Sequence, residues 1–520
     1  MKPITVISFL TVSWLLCTLT GQAQRAENNL DRPLRIEIPT QSDHETYRII
    51  PLGPQGIILF YKSTETVDIN STKWYFSLFD QNLQQVWIKY APIAASLNFK
   101  FSCQTGDTLN LYFEADRKSR NTDLSFQILR ILKSGTLILN NGQLPESTTA
   151  SFFEVIKQQA VLGLNSQDHH ANILVMDLPK GEIRMLPMNS EYPETISFMT
   201  IDKKESCITT LLIRSISKKT TSLFFNKMTL DGKLILETQI SNFNSNNLFI
   251  HVKEITTGPH ENLIAGTYAS GSYSSKKSDE GVSAGLFASP VISTIQTSMN
   301  FVNFLDLKNI QPLMGDRDIL ALRKKSMKKN RSGDNFSLDF SVLLHDLITW
   351  KDQIILTAET YYQQYHTETF TDYDFYGRPF TNSYTVFDGY QFAGVILTAF
   401  TKEGQLLWDN TMDIKDILTF DLEPKVALLC LDEEIVLIYP TQGKIAAKII
   451  KGNETIEKTS YAELSLMHPS EKVVSASNEQ IVYWYDHYFL CYGYQEIKDI
   501  SSGNADKKMV FYCNKILFER

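Results

Sequence analysis

Short apolar runs separated by turn residues dominate the chain, and helical periodicity is scarce. The runs are rich in Ile, Leu, Val, Phe, Tyr and Thr, with Gly, Pro, Asn and Asp at the breaks, which is how strands and tight turns read. Two kinds of hairpin alternate. In the first, an apolar strand turns into a more hydrophobic one: 48–50 into 57–60 through Gly53-Pro54-Gln55-Gly56, 99–103 into 109–113, 252–255 into 263–268, and 344–348 into 354–358. Near-continuous hydrophobicity marks the second member as an inner strand covered on both faces. In the second kind, a polar turn carrying Gly or Asn joins two strands, as at Asn82, Gly135, Gly181, Gly232 and Gly404, with a weaker copy at Gly443. Glycine supplies the positive φ such turns need.

Spacing organises these hairpins. From Asn82 to Gly135, Gly181 and Gly232 the steps are 53, 46 and 51 residues, and Gly232 to Gly404 is 172 residues, room for further repeats plus insertions. Periods near 40–50 residues with four strands each are what propeller blades give. The predicted fold is therefore an all-β β-propeller of seven or eight four-stranded blades. Eight units are counted, starting near residues 45, 96, 149, 194, 247, 337, 415 and 470, and degenerate units seven and eight keep seven open. The last unit shows about three strands, and residues 34–38 are expected to add the fourth and close the ring. Serial β-sandwiches and, more distantly, an outer-membrane barrel are the competing folds. Two long insertions are expected within the single propeller domain 24–520, at about 271–335 and 361–392.

The first residues change the picture of where the protein works. Lys2, the apolar run 4–19 and the small residues Gly21 and Ala23 read as a signal peptide, residues 1–23, cleaved near Ala23. Leu16 before Cys17 argues against a lipoprotein, and no later segment has the roughly 20 apolar residues of a spanning helix. A secreted or periplasmic, cell-envelope location follows as an expectation. Losing Lys2 takes the formal charge from −8 to −9, which argues against nucleic acid. Five cysteines remain, too few and too scattered for a disulfide framework or a CxxC metal site. Cys491 and Cys513 lie on adjacent terminal strands and are candidates for a disulfide, with buried free thiols as the alternative.

The run Gly404-Gln405-Leu406-Leu407-Trp408 resembles the outer hairpin of quinoprotein-type and WD40-like propeller repeats. No adjacent cysteines occur, so quinoprotein activity is not implied. The ending Gln22-Ala23-Gln24 of the leader, Leu343-Leu344-His345-Asp346, the stretch Thr371 to Pro379 and Phe511-Tyr512-Cys513-Asn514-Lys515 are similar to those of uncharacterised exported proteins of Bacteroidota. That resemblance implies export and no known activity.

Candidate chemistry concentrates in the 361–392 insertion, where twelve aromatic residues mix with Asp372, Asp374, Arg378 and Asn382. A loop this long is uncommon, and aromatic rings on a rigid scaffold suit recognition. Tyr365, Tyr373, Phe375, Tyr376, Arg378, Phe380 and Tyr384 are the expected binding residues, for a protein partner or an envelope glycan. A lid packed over the propeller channel is the structural alternative. Asp372 and Asp374 are the weak candidates for acid–base catalysis in a carbohydrate-active hydrolase or lyase, although a solvated acidic loop explains them as well. In the other insertion Arg317, Arg323, Lys324, Lys325, Lys328, Lys329 and Arg331 form a basic run, read as a membrane-surface or acidic-partner patch or as a solvated loop. Residues 318–327 are expected to make a helical turn or two with Ile319, Leu320 and Leu322 facing inward. His169-His170 reads as a turn and His345-Asp346 as a structural pair near the channel. No GxSxG, HExxH, P-loop or Rossmann glycine pattern occurs, so no cofactor or metal is expected. The favoured function is a non-enzymatic binding or scaffold propeller, as a monomer or an assembly subunit.

Overall fold

A computed structural model describes residues 34–519, except 44–45, 117–122, 187, 189, 218–219, 242–246, 271–280, 316–317, 332–335 and 501–506. The expected leader, Arg317 and the Ser/Gly-rich start of the first insertion lie outside these residues. Among the described residues, successive hairpins pair into antiparallel sheets that follow one another along the chain at 48–94, 97–143, 148–186, 194–240, 247–303, 340–419 (joined by Val282–Ser283), 427–463 and 471–517 (joined by Arg35–Pro39). Six of these eight sheets have four strands, and the other two have five and seven. The first strands read from the apolar pattern are in place: Arg48–Pro51 pairs with Ile57–Asp68, Leu97–Thr105 with Thr108–Ala115, and Asn247–Gly258 with Glu261–Ser270.

Each sheet is apolar on both faces, so each must be covered twice. Ile58, Phe60, Trp74 and Phe76 of the first sheet pack on Leu111 and Phe113 of the second. Tyr112 and Phe126 on the other side of the second sheet pack on Phe153 and Leu162 of the third. The same relation continues sheet by sheet until Trp484, Leu490 and Phe511 of the last meet Ile49, Ile57 and Leu59 of the first. Four-stranded sheets packed face to face in a closed ring define a β-propeller.

The ring is closed by the strand Arg35–Pro39, which pairs antiparallel with Lys507–Leu517 as the sequence suggested. Arg35 is the buried hub of that closure. Its Nη1 donates to Asn514 Oδ1 (2.6 Å), its Nη2 to Gln495 Oε1 (2.8 Å) and its Nε to Glu37 Oε1 (2.7 Å), and the guanidinium lies 4.7 Å from the centroid of the Tyr512 ring.

Glycine carries the positive φ at the turns of Gly135, Gly181, Gly232 and Gly404, while in the Asn82 hairpin Leu83 takes it at φ 57°. Several expectations are corrected. The Gly443 turn joins Ile435–Thr441 to Lys444–Lys451, the second and third strands of its sheet, so it is not a copy of the outer hairpins. Much of 271–335 is ordinary sheet: Gly285–Ile292 is the third strand of the fifth sheet. The helix spans Ile319–Arg331, with Asp318 Oδ1 accepting from Leu320 and Ala321 N–H. Ile319 and Leu322 pack inward but Leu320 faces solvent. The basic run is partly tied down, since Arg323 donates to the Leu305 and Leu307 carbonyls and Lys325 and Lys329 lie over the Phe336 ring. Cys491 and Cys513 are free. The pairing explains it: Cys491 sits opposite Asn514 and Cys513 opposite Tyr492, so the two thiols point to opposite faces of the sheet, one toward each neighbouring sheet.

Replacing Arg35 with Ala leaves Asn514, Gln495 and Glu37 unpartnered by it at the closure, so a loss of about 3 kcal/mol is expected in denaturant unfolding. An unchanged midpoint would show that apolar packing alone closes the ring. Glu254, on the first strand of the fifth sheet, Asn247–Gly258, gives a pH signature. Burial lifts its carboxyl from 4.5 to about 7, against the opposing pull of Lys227 and Thr256. Because the folded value is the higher, its contribution to stability is complete below pH 4.5 and is lost as pH rises through about 7. Glu254→Gln should therefore be more stable than the parent at pH 8, by up to about 3 kcal/mol, with the gap closing near pH 4. Parallel stability profiles of the two proteins would refute this.

Candidate functional site

The aromatic stretch expected as a loop is regular structure. Gln353–Tyr373 and Pro379–Phe400 are strands of 21 and 22 residues, paired without a break in partnership from Ile354↔Phe400 to Tyr373↔Pro379 apart from two bulges. Their inner halves are buried strands of the sixth sheet. Beyond Tyr361 the neighbouring strand Phe340–Leu344 has ended, and beyond Tyr390 so has the short strand Leu418–Thr419. From there, among the described residues, the hairpin continues as a two-stranded ribbon. Gly389 sits at the exit: at φ 133° it passes so close to Thr419 that a Cβ would lie 2.7 Å from its carbonyl oxygen. Every residue from 362 to 381 is exposed, so the segment does not pack down on the ring as a lid.

Strand alternation sorts the expected binding residues into three places. At the tip, Asp374 Oδ1 accepts from the Tyr376 N–H (2.9 Å) and the Arg378 N–H (2.8 Å), and Gly377 turns the chain at φ 73°. This displays Phe375 and Tyr376, which are 98% and 80% exposed, with Arg378 over the Tyr376 ring. Phe380 and Tyr384 lie on one face of the ribbon, in register with Asp372 and Glu368. There Glu368 accepts from the Tyr384 hydroxyl and meets His366, whose other ring nitrogen contacts Asp388. Asp388 and then Glu368 lift the His366 imidazole above its usual value. Tyr365 and Tyr373 lie on the opposite face, which is otherwise a ladder of hydroxyls: Thr367, Thr369 and Thr371 opposite Thr385, Ser383 and Thr381. The structure thus unites Phe375, Tyr376 and Arg378 and separates the rest. Asp372 bonds the Tyr373 N–H and the Asn382 amide, and Asp374 is taken up by the turn.

His345 and Asp346 are not a pair. His345 Nε2 lies 2.7 Å from Glu359, and Asp346 takes Lys253 of the fifth sheet at 2.7 Å. Glu359 is fully buried and also accepts from the Lys425 and Val426 N–H groups, both at 2.9 Å. It therefore pins the segment 419–426, which carries one wall of a polar pocket that sequence reasoning missed.

That pocket, about 240 Å³, is lined by Tyr47 and Arg48 of the first sheet, Asn478, Gln480, Tyr492 and Tyr494 of the last, and Phe420, Asp421, Glu423 and Lys425 of the connecting segment. Arg48 Nη1 donates to Glu423 (3.0 Å), with Asp421 4.0 Å from Nη2. Lys425 is buried, and desolvation holds its ammonium below the usual lysine range despite Glu423, Glu359 and Asp421. In the orientation its neighbours require, the Gln480 amide oxygen accepts from Lys425 Nζ at 2.5 Å. In the sequence the only trace is the alternation Asp421, Glu423, Lys425 in a connection. Phe420 links pocket and hairpin, its ring 6.1 Å from that of Phe387.

No family model and no curated protein matches this chain. Its likeness to solved structures is one of fold. It is similar to the polysaccharide lyase Uly1 (11% identity, TM-score 0.37, 84% of this chain and 93% of that one). It is also similar to the dihydro-heme d1 dehydrogenase NirN (10%, 0.41, 95% and 82%). A third is the β-propeller domain of the Trilobed protease from Pyrococcus furiosus (9%, 0.34, 81% and 98%). Likeness at this level carries no argument about activity, and no family match accompanies the resemblance to exported proteins of Bacteroidota.

Replacing Glu359 with Ala strands the Lys425 and Val426 N–H groups and His345 Nε2. The expected cost is about 3 kcal/mol in unfolding, with a new tryptic cut after Lys425. Unaltered stability and an uncut chain would show that the segment is held by other contacts.

Proposed function

We propose that the chain is an exported, non-enzymatic propeller that grips a protein partner with the ribbon between Tyr362 and Tyr390. The observation that carries this reading is that every residue from 362 to 381 is exposed, although Tyr362, Tyr365, Phe370, Tyr373, Phe375, Tyr376 and Phe380 all lie among them. A two-stranded hairpin is marginal alone in water, and clustered exposed rings mark surfaces that a partner covers. Both edges of the ribbon present backbone groups that another chain can pair with, and the rings add area at small entropic cost. Asp374 serves the turn and Asp372 bonds the Tyr373 N–H and the Asn382 amide, which favours binding over turnover. Export rests on Lys2, the apolar run 4–19 and the cleavage site near Ala23, and places the partner in the periplasm, the envelope or outside the cell.

The triple substitution Tyr373→Ser, Phe375→Ser and Tyr376→Ser tests this, because it removes exposed rings that support nothing in the ring. Stability should change by less than about 0.5 kcal/mol per site. In pull-downs from the envelope fraction of the source organism, a protein enriched by the parent should fall by about tenfold or more with the variant. Equal enrichment by both would end the ribbon reading.

A further inference from the structure

A second site lies at the foot of the ribbon, and it is built from different residues. The pocket between the first and last sheets gathers planar polar side chains, namely Arg48, Asp421, Glu423, Asn478 and Gln480, around a space of about 240 Å³. We propose that it binds one ring of a neutral, hydroxyl-rich ligand: a sugar unit.

Four features support this. The charges come close to cancelling, Asp43, Asp421 and Glu423 standing against Arg48 and Lys425. A strongly anionic ligand would meet the three carboxylates. A cationic ligand would meet the guanidinium of Arg48, which already bonds Glu423. What remains suited is a neutral group that donates to a carboxylate while accepting from a guanidinium or amide, which adjacent hydroxyls of a sugar do. Second, Phe420 lines the pocket and is still 65% exposed, so its ring can take the C–H face of a sugar beside its edge contact with Phe387. Third, the polar groups are held in advance: Glu359 fixes the backbone at Lys425 and Val426, and Gln480 is braced by Lys425. Fourth, Tyr47 is stacked on Phe511 at 4.9 Å and donates its N–H to the Tyr494 hydroxyl, so the opposite wall is equally rigid. Groups fixed before the ligand arrives lose little entropy when it binds.

The test uses the mature full-length protein with glucose, galactose, mannose, N-acetylglucosamine and their β-1,4-linked trimers as probes. Arginine methyl ester and glucuronate represent the cationic and anionic classes. Calorimetry and saturation-transfer NMR should find at least one neutral sugar bound, and both Phe420→Ala and Asp421→Asn should weaken it by about tenfold or more. Both side chains are largely exposed, so the variants should melt like the parent, and the triple ribbon variant should bind the sugar as the parent does. Absence of binding across the neutral panel, a preference for the ester or glucuronate, or sugar binding indifferent to Phe420 and Asp421 would each overturn the proposal. Because the ribbon variant is scored separately, failure here leaves the partner-binding reading standing, and the reverse.

Discussion

A four-stranded sheet with two apolar faces is unstable alone, and in this chain every such sheet has only its neighbours in sequence to cover it. The constraint has one solution, a ring, and a ring must be joined where the chain ends meet. That join is non-covalent. It consists of the strand Arg35–Pro39 on Lys507–Leu517, the Arg35 hydrogen bonds, and the apolar seam in which Trp484 also donates to the Gly56 carbonyl at 3.0 Å. The polar pocket exists only because of it. Tyr47 and Arg48 come from the beginning of the chain, Tyr492, Tyr494 and Phe511 from its end, and they face each other only across the closed seam.

The strands were legible because burial on both faces writes long apolar runs, and the turns because positive φ favours glycine. Legibility failed where a different physics governs. No apolar run marks the ribbon, so it reads as a loop; yet its alternation of Thr with aromatic and charged residues is a period-two pattern, the pattern of a strand with no core to face. At Leu83 a non-glycine residue accepts the strained turn, so the chain breaks the rule that marked its neighbours. The two terminal cysteines look poised to join by adjacency of their strands, but adjacency says nothing about face. One residue of register sends each thiol into a different seam.

The pocket was illegible for a more general reason. Arg48 and Glu423 are 375 residues apart and each is unremarkable where it stands, one at the start of a strand and one in a connection. Only the topology brings them within 3.0 Å. Likewise His345 and Asp346 suggest a pair by being consecutive, but they stand in the connection between Phe340–Leu344 and Ile348–Trp350 and take different partners, His345 Glu359 and Asp346 Lys253. Spacing in sequence predicts contact along one element. It does not predict contact across a ring.

Ribbon and pocket share one physical support. Leu418–Thr419 pairs with Tyr390–Gln391 at the ribbon's base, and the same segment runs on through Phe420, Asp421 and Glu423 to the backbone that Glu359 holds. The aromatic contact of Phe387 with Phe420 adds a side-chain bridge between them. A partner that pulls on the ribbon therefore loads the strand that carries the pocket wall, and the load is resisted by a buried carboxylate with three donors. The stiff ring keeps ribbon and pocket in a fixed relation, which is the condition under which the proposed partner, if glycan-bearing, would engage the ribbon with its polypeptide and the pocket with its sugar at once. In that geometry each contact raises the effective concentration of the other, so two weak sites suffice for tight binding.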